Sequence, residues 1–381
     1  MPPLRQPEQP RSTLLPARQA SVAAETDVLV VGGGPAGLGA ALGAAAAGAR
    51  VILAERYGFL GGNATAALVM PLMSFHTHRP SFESQTAKLM PADHGPGEPV
   101  IAGVLRDLVE RLVESGGAIR PSLETGYVVP FDPEAFKFVA IEMLDDAGVS
   151  FLLHAMATDF SSAPGIRGVV FETKSGTVVI EARVVVDCTG DGDIAARAGA
   201  EFEIGREGDG LTQPMTLMFR LVGFRQDAFE NYVRQNPTQW RGVHGLWDLV
   251  RKAAAAGQLD LPREDILFFG TPHQLEVSVN STRVGRVLGT NVFDLTCAEW
   301  EGRRQMQQIA SFLKRYVPGF EDSYVVQSGV NIGVRETRRF VGEYRLTAGD
   351  LLNARKFDDA IARAAYPVDI HNPAGKGTIL Q

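Results

Sequence analysis

The chain has 381 residues, 45% of them hydrophobic and 21% charged, with a formal net charge of −7. That length and balance fit a globular fold of two or three domains, while the acidic excess leaves no basic stripe for nucleic acid and no apolar run reaches the roughly 18 residues of a membrane span. Two cysteines, Cys188 and Cys297, are too few for a disulfide framework or an iron–sulfur cluster held by about four thiolates.

Residues 1–25 hold five prolines and mixed charge without a continuous apolar stretch, which predicts a disordered leader in place of a secretion signal, and a cytoplasmic location. Ordered structure is expected from "DVLVVGGGPAGLGAALGAAAAGARVILAER" onward. Val28 to Val31 read as a strand buried on both faces, and Ala36 to Ala47 as a narrow helix of Ala, Leu and Gly. Between them Gly32, Gly34 and Gly37 keep the GxGxxG spacing: a tight turn, a close backbone approach to a pyrophosphate, and close helix–sheet packing. Pro35 and Ala36 open the helix, whose amino end would direct N–H groups at phosphate. A second strand, Arg50 to Ala54, runs into Glu55 and Arg56, and Glu55 stands near the position of a ribose-binding acid. These features together predict a bound dinucleotide.

Further along, Gly58, Gly61 and Gly62 mark a turn, and residues 73–100 read as a long mobile loop. His76 and His78 form an HxH pair in that loop with no third ligand nearby, so no metal site is expected. Val104 to Ser115 predicts an amphipathic helix, and so does "FDPEAFKFVAIEMLDDAGV", with Asp132 as N-cap, Pro133 at the first helical position and Gly148 as the stop. Phe151 to Leu153, Val169 to Glu172 and a buried Val184 to Val186 are expected strands. The last carries Asp187, Thr189, Gly190 and Asp191 at its carboxyl end, where ligands sit in such sheets. From Phe202 to Val326 the pattern changes to separate strand and helix segments, among them the helix "TCAEWEGRRQMQQIASFLKRYV". This region reads as a second domain inserted in the first, with boundaries of 26–201, 202–328 and a return at 329–381.

The segments "GGGPAG", "GGNATAA", "FDPEAFKFVA", "DCTGDGD", "QPMTLMFRL", "VNSTRV", "GVRETRRFVGEY" and "YPVDIH" span nearly the whole chain after residue 25. On these segments the sequence resembles the FAD-dependent oxidoreductase family of the glutathione-reductase-like flavoprotein superfamily. The resemblance implies an α/β fold, a Rossmann-type FAD-binding domain with a central parallel sheet plus an inserted α+β substrate domain. It assigns the pyrophosphate to Gly32, Gly34 and Gly37, the adenosine ribose to Glu55, and the path of phosphates and flavin to Gly61, Gly62, Asn63 and Thr65. Thr189, Gly190 and Asp191 would return to the cofactor, and Asn280 and Arg283 would border the substrate cavity. In the family a further strand and helix follow "YPVDIH"; here the chain ends in "NPAGKGTILQ", which shows neither pattern. The expectation is a member missing its closing segment, with weak FAD binding and little turnover, as a homo-oligomer or with a partner that supplies the element.

For the chemistry, "RETRR" offers cations beside a reduced flavin. If extended, it places Arg335, Thr337 and Arg339 on one face, to serve the flavin or an acidic substrate group. Asp369 and His371 share a strand face, and His371 suits proton removal as a hydride leaves. These readings favour an FAD-dependent oxidoreductase acting on a small organic substrate. An electron-transfer subunit resembling the flavin subunit of heterodisulfide reductases is the alternative. A nicotinamide dehydrogenase would have no use for the Thr-Gly segment.

Overall fold

The computed structural model describes residues 3–17, 19–76, 89, 99–122, 125, 127–161, 167–366, 368–375 and 378–380. Most of the loop expected over 73–100, including His78, lies outside these. The first region begins with β1 (Ser21–Val31), α1 (Pro35–Ala46) and β2 (Val51–Ala54), followed by α2 (Val104–Glu114) and α3 (Pro133–Asp146). The strands β3 (Ser150–Leu152), β4 (Met156–Ser161), β5 (Gly168–Thr173) and β6 (Gly176–Asp187) and the short α4 (Asp193–Arg197) complete it. They form one six-stranded sheet in the order β3-β2-β1-β6-β5-β4. The first four strands run parallel, with Val28 opposite Val51 and Val31 opposite Asp187, and β5 and β4 are added antiparallel.

β1 starts inside the segment expected as a disordered leader. Ser21 to Glu25 are extended because the long amino-terminal half of β6 offers them partners, Ser21 opposite Val178 and Glu25 opposite Glu181. One face of the sheet packs Val30 and Leu53 against Leu38 and Ala41 of α1, Leu112 of α2 and Phe136, Ala140 and Leu144 of α3. The other face packs Leu29 and Val31 against Val169, Phe171, Ile180 and Ile194. A second expectation fails at the end of β6. Val184 is 53% exposed and Val185 38%, so that stretch is not buried. β5 pairs with β6 only as far as Glu181, and among the described residues no strand continues along Arg183–Asp187 on the side away from β1.

The second region opens with β7 (Phe202–Ile204) and β8 (Phe219–Val222), then α5 (Gln226–Gln235), β9 (Trp240–Arg241), β10 (His244–Gly245) and α6 (Trp247–Ala255). β11 (Ile266–Gly270), β12 (Glu276–Val279), α7 (Val292–Tyr316) and β13 (Tyr324–Ser328) follow. Six of these strands make an antiparallel sheet, β13-β8-β12-β11-β10-β9. Its core is aromatic: Phe224, Phe229, Trp240, Phe268 and Phe320 meet at ring separations of 4.6–6.3 Å. α7 lays Ala298, Met306, Ile309, Phe312 and Leu313 on that core. It starts four residues before the expected Thr296, because Asn291 caps it by accepting from the N–H groups of Phe293 and Asp294.

The chain then returns. β14 (Arg338–Phe340) pairs with β7, and α8 (Ala348–Leu352) is capped reciprocally by Thr347 and Asp350. β15 (Asp369–His371) forms a hairpin with β16 (Thr378–Leu380). The final segment therefore does contain a strand, contrary to expectation. The β-branched Thr378 and Ile379 find a partner in Asp369–His371, which a search for a long apolar run does not reveal.

Candidate functional site

A cleft opens where β1, β2 and β6 end. From the turn between β1 and α1 it is lined by Gly32, Gly34, Pro35 and Ala36, and from the end of β2 by Glu55 and Arg56. Gly62 and Asn63 contribute from the next turn, and Thr189, Gly190 and Asp191 from the turn after β6. Each glycine does a separate task. A Cβ on Gly37 would lie 1.8 Å from the Gly32 carbonyl oxygen, so α1 packs against the turn only because that atom is missing. Gly32 has φ +107°, in the left-handed region. A Cβ on Gly34 would meet nothing nearer than Gly62 Cα at 3.6 Å, so the protein's own packing does not demand glycine there. What it preserves is space in the cleft.

Three other expected residues stand behind this surface. Gly37 is buried on the inner face of α1, Gly61 donates its N–H to the Gly33 carbonyl at 2.8 Å, and Thr65, fully buried, donates to the Leu60 carbonyl at 2.7 Å. They shape the turn that carries Gly62 and Asn63. Glu55 is 6% exposed and already engaged: one carboxylate oxygen accepts from Gly33 N at 2.6 Å and the other from Tyr57 N at 2.9 Å. It fixes the glycine turn as well as facing the cleft.

The sequence placed Asp187 at the ligand-bearing end of β6 but gave it no role of its own. One of its oxygens accepts from the N–H and hydroxyl of Thr189, at 3.0 and 2.7 Å. The other accepts from Ile194 N and Ala195 N, at 2.9 and 2.7 Å. A single carboxylate thus folds the Thr189–Gly190–Asp191 turn back toward the cleft. The signal was an acid closing a strand just before a Gly-rich turn and a helix start. Tyr57, Asn331 and Val334 also line the cleft without having been expected there, and the Tyr57 hydroxyl donates to Asn331 Oδ1 at 2.7 Å. Burial raises the Tyr57 phenol, the Cys188 thiol and the Asp191 carboxyl above their ordinary pKa values.

An FAD fits this geometry. The cleft keeps an open side at Gly34, and α1 begins there with no side-chain cap, so its first N–H groups are left for a phosphate. The sequence of the family described as FAD dependent oxidoreductase matches residues 27–380. The chain belongs to that family. Its cofactor is therefore FAD, held on a mixed α/β fold with a parallel FAD-binding sheet and an inserted region. No curated protein matches the chain in sequence. Among solved structures, it is similar to the p-nitrophenol 4-monooxygenase of Pseudomonas putida DLL-E4, at 13% identity and TM-score 0.48, over 84% of this chain and 70% of that one. A geranylgeranyl bacteriochlorophyll reductase-like protein of Thermoplasma acidophilum gives 14% and 0.44, over 81% and 66%. The anhydrotetracycline hydroxylase of Streptomyces rimosus gives 14% and 0.45, over 83% and 53%. The chain thus spans between about half and 70% of these proteins' lengths, and likenesses this distant say nothing about its reaction.

The expected catalytic and substrate residues of this family member divide into two places. Arg335 donates from Nη1 to the Pro214 carbonyl at 2.8 Å and to Thr216 Oγ1 at 2.7 Å. Arg283 donates from Nη2 to His371 Nδ1 at 3.0 Å, and His371 Nε2 lies 3.5 Å from Asp369 Oδ2. Because a guanidinium only donates, His371 Nδ1 is the unprotonated nitrogen and the ring proton sits on Nε2, toward Asp369. That contact holds the Asp369 carboxyl below its ordinary pKa. Asn280, at the end of β12, keeps its Oδ1 buried without a hydrogen-bond donor among the described residues. Arg339 stands elsewhere, bound to Glu336 and the Gly205 carbonyl. Only Arg338–Phe340 are strand, so the alternation expected from Arg335 through Thr337 to Arg339 does not form. Thr337 instead donates to Asp191 Oδ1 at 2.8 Å, and Arg338 pairs with Asp193 at 2.8 Å.

Proposed function

We propose that this oxidoreductase moves a hydride between a small organic substrate and flavin N5, with the substrate meeting the cofactor between the two large sheets. The observation that carries this reading is the segment 331–335. Asn331 and Val334 line the dinucleotide cleft, and Arg335, the next residue, reaches Pro214 and Thr216 just ahead of β8 in the second sheet. A substrate held by the second region would therefore abut the cofactor held by the first.

FAD, when bound, supplies a two-electron acceptor. The chain's own residues bind and orient it. Gly34 leaves room for the pyrophosphate, Ala36 offers an N–H at the start of α1, and Glu55 presents a carboxylate for the ribose. Asp187 sets the Thr189–Gly190–Asp191 turn against the cofactor, an arrangement we group with the glutathione-reductase-like flavoproteins. Anaerobic mixing of FAD-loaded protein with alcohols, amines, sugars and carboxylic acids tests the reaction. Loss of oxidised-flavin absorbance with one of them is expected. A flavin that no organic donor reduces, yet that takes up single electrons readily from a dye, would put the chain in the electron-transfer class instead.

A further inference from the structure

Three arginines distant in sequence converge beside the cofactor cleft. Arg335 follows Val334 out of the cleft lining, Arg283 follows β12, and Arg263 precedes β11. Arg335 reaches Pro214 and Thr216, and Met215 between them pairs with Val284, the residue after Arg283. Leu267, four residues after Arg263, is bonded to Ser281, two residues before Arg283. Bringing like charges together in a partly buried place is unfavourable unless other charges answer them. Here the answer is incomplete. Asp265 is taken by His244 Nδ1 at 2.8 Å on one oxygen and by Arg263 at 3.1 Å on the other. Asp369 turns Oδ2 to His371, and among the described residues its buried Oδ1 has no donor, Arg335 included. Among the described contacts, three guanidinium groups thus face two carboxylates, and positive charge is in excess.

The excess sits at Arg335. Arg335 itself is exposed to solvent, so an incoming ligand can reach it. Both of its hydrogen bonds leave from Nη1 and end on uncharged oxygens. The Nε–Nη2 edge of the fork makes no hydrogen bond among the described residues, and that edge is the one that grips a carboxylate with two parallel bonds. Arg283, 8% exposed, is fixed from several sides. The Gln305 side chain clamps its backbone N–H and carbonyl at 2.8 and 3.0 Å, and its guanidinium meets His371 and the Gly375 carbonyl. A cation held this firmly is preorganised.

We infer that Arg335, with Arg283 and Arg263 behind it, is the anion pocket of the substrate site, and that the substrate carries a carboxylate there. The inference rests on the reading that the substrate meets the flavin between the two sheets, and names the substrate's class. Binding would give Arg335 the charged partner it lacks, and Arg283 and Arg263 would add attraction without direct contact.

The test uses FAD-loaded protein, its flavin content measured first. Calorimetric titration with acetate, benzoate and succinate, each against its neutral amide, reads the charge preference, and the flavin spectrum is recorded in the same titrations. At least one acid should bind 10-fold or more tighter than its amide and perturb the flavin spectrum. Arg335→Met should remove that preference, and Arg335→Lys, which keeps the charge but loses the fork, should restore part of it and covers a poorly folded Met variant. Equal binding of acid and amide, or no binding of any acid, overturns the anion pocket and leaves the oxidoreductase reading standing. A carboxylate preference that Arg335→Met and Arg335→Lys both leave intact also overturns it. An acid that binds through Arg335 but leaves the flavin spectrum unchanged overturns the meeting of substrate and flavin at this place.

Discussion

The two parts of the proposed site are made of different material. Around the parallel sheet the cleft is built from backbone: glycines at Gly32, Gly34 and Gly190, uncapped N–H groups of α1, and two carboxylates, Glu55 and Asp187, that hold turns in shape. Beside the antiparallel sheet the cluster is built from long side chains, Arg263, Arg283, Arg335 and His371, that meet across wide gaps in sequence. A surface of backbone recognises what every dinucleotide shares. A surface of side chains is free to choose a substrate. Mutations should separate the two accordingly.

The largest effect belongs to the second region's frame. Arg220 donates to both oxygens of Glu276, at 2.9 and 2.8 Å, and to Gln327 at 2.8 Å, with side-chain exposures of 10% and 6% for the ion pair. Arg220→Met strands a buried carboxylate, and we expect a loss of about 3–5 kcal/mol in denaturant unfolding. FAD affinity of the fraction that stays folded should be unchanged; a matching loss of FAD would show that the two regions do not behave separately.

Gly37→Ala comes next. Its Cβ would meet the Gly32 oxygen at 1.8 Å, so fold stability, by about 3 kcal/mol, and FAD binding should fall together. Gly34→Val sharpens the contrast, since its Cβ has room in the protein but not beside a pyrophosphate. Thermal unfolding of the apoprotein should hardly move while FAD affinity, measured by fluorescence quenching, drops about 100-fold, or ~2.7 kcal/mol. Glu55→Gln keeps the size but turns an amide N–H toward Gly33 N or Tyr57 N. A loss of about 10-fold in FAD affinity is expected, and an unchanged constant would remove Glu55 from cofactor binding.

The smallest effect is in pH. Asp369 titrates below its ordinary value of 3.8 because His371 bonds to it. A carboxylate lowered in the folded state adds stability that is present above the unfolded value and is lost as pH falls through the native one. Melting temperature should therefore decline as acidity increases below about pH 4, and Asp369→Asn should flatten that decline. A variant with the same acid slope would mean that the contact contributes nothing.

The sequence was informative where chemistry follows from spacing. Gly32, Gly34, Gly37 and the acid at Glu55 are tied to one strand–turn–helix, so their geometry is local and readable. Asp132 and Pro133 likewise announced α3. The arginine cluster was only half visible. "RETRR" drew attention to Arg335, but its partners Pro214 and Thr216 lie some 120 positions earlier, and nothing near Arg263 or His244 marked them as neighbours of a site. β9 and β10, two residues each, are defined by pairing and not by pattern. The buried reading of Val184 and Val185 failed for the same reason: an apolar run shows that a strand exists, not what lies against it.

That last strand has a bearing on how the protein behaves as a solution. From Arg183 to Asp187, on the edge away from β1, β6 carries backbone donors and acceptors beside exposed valines, and among the described residues no strand pairs with that edge. Such a row is a template for any other extended chain. Crowding raises the rate of those encounters while leaving the folding equilibrium almost untouched. Association at high concentration is therefore expected to begin along these five residues, without any loss of the fold.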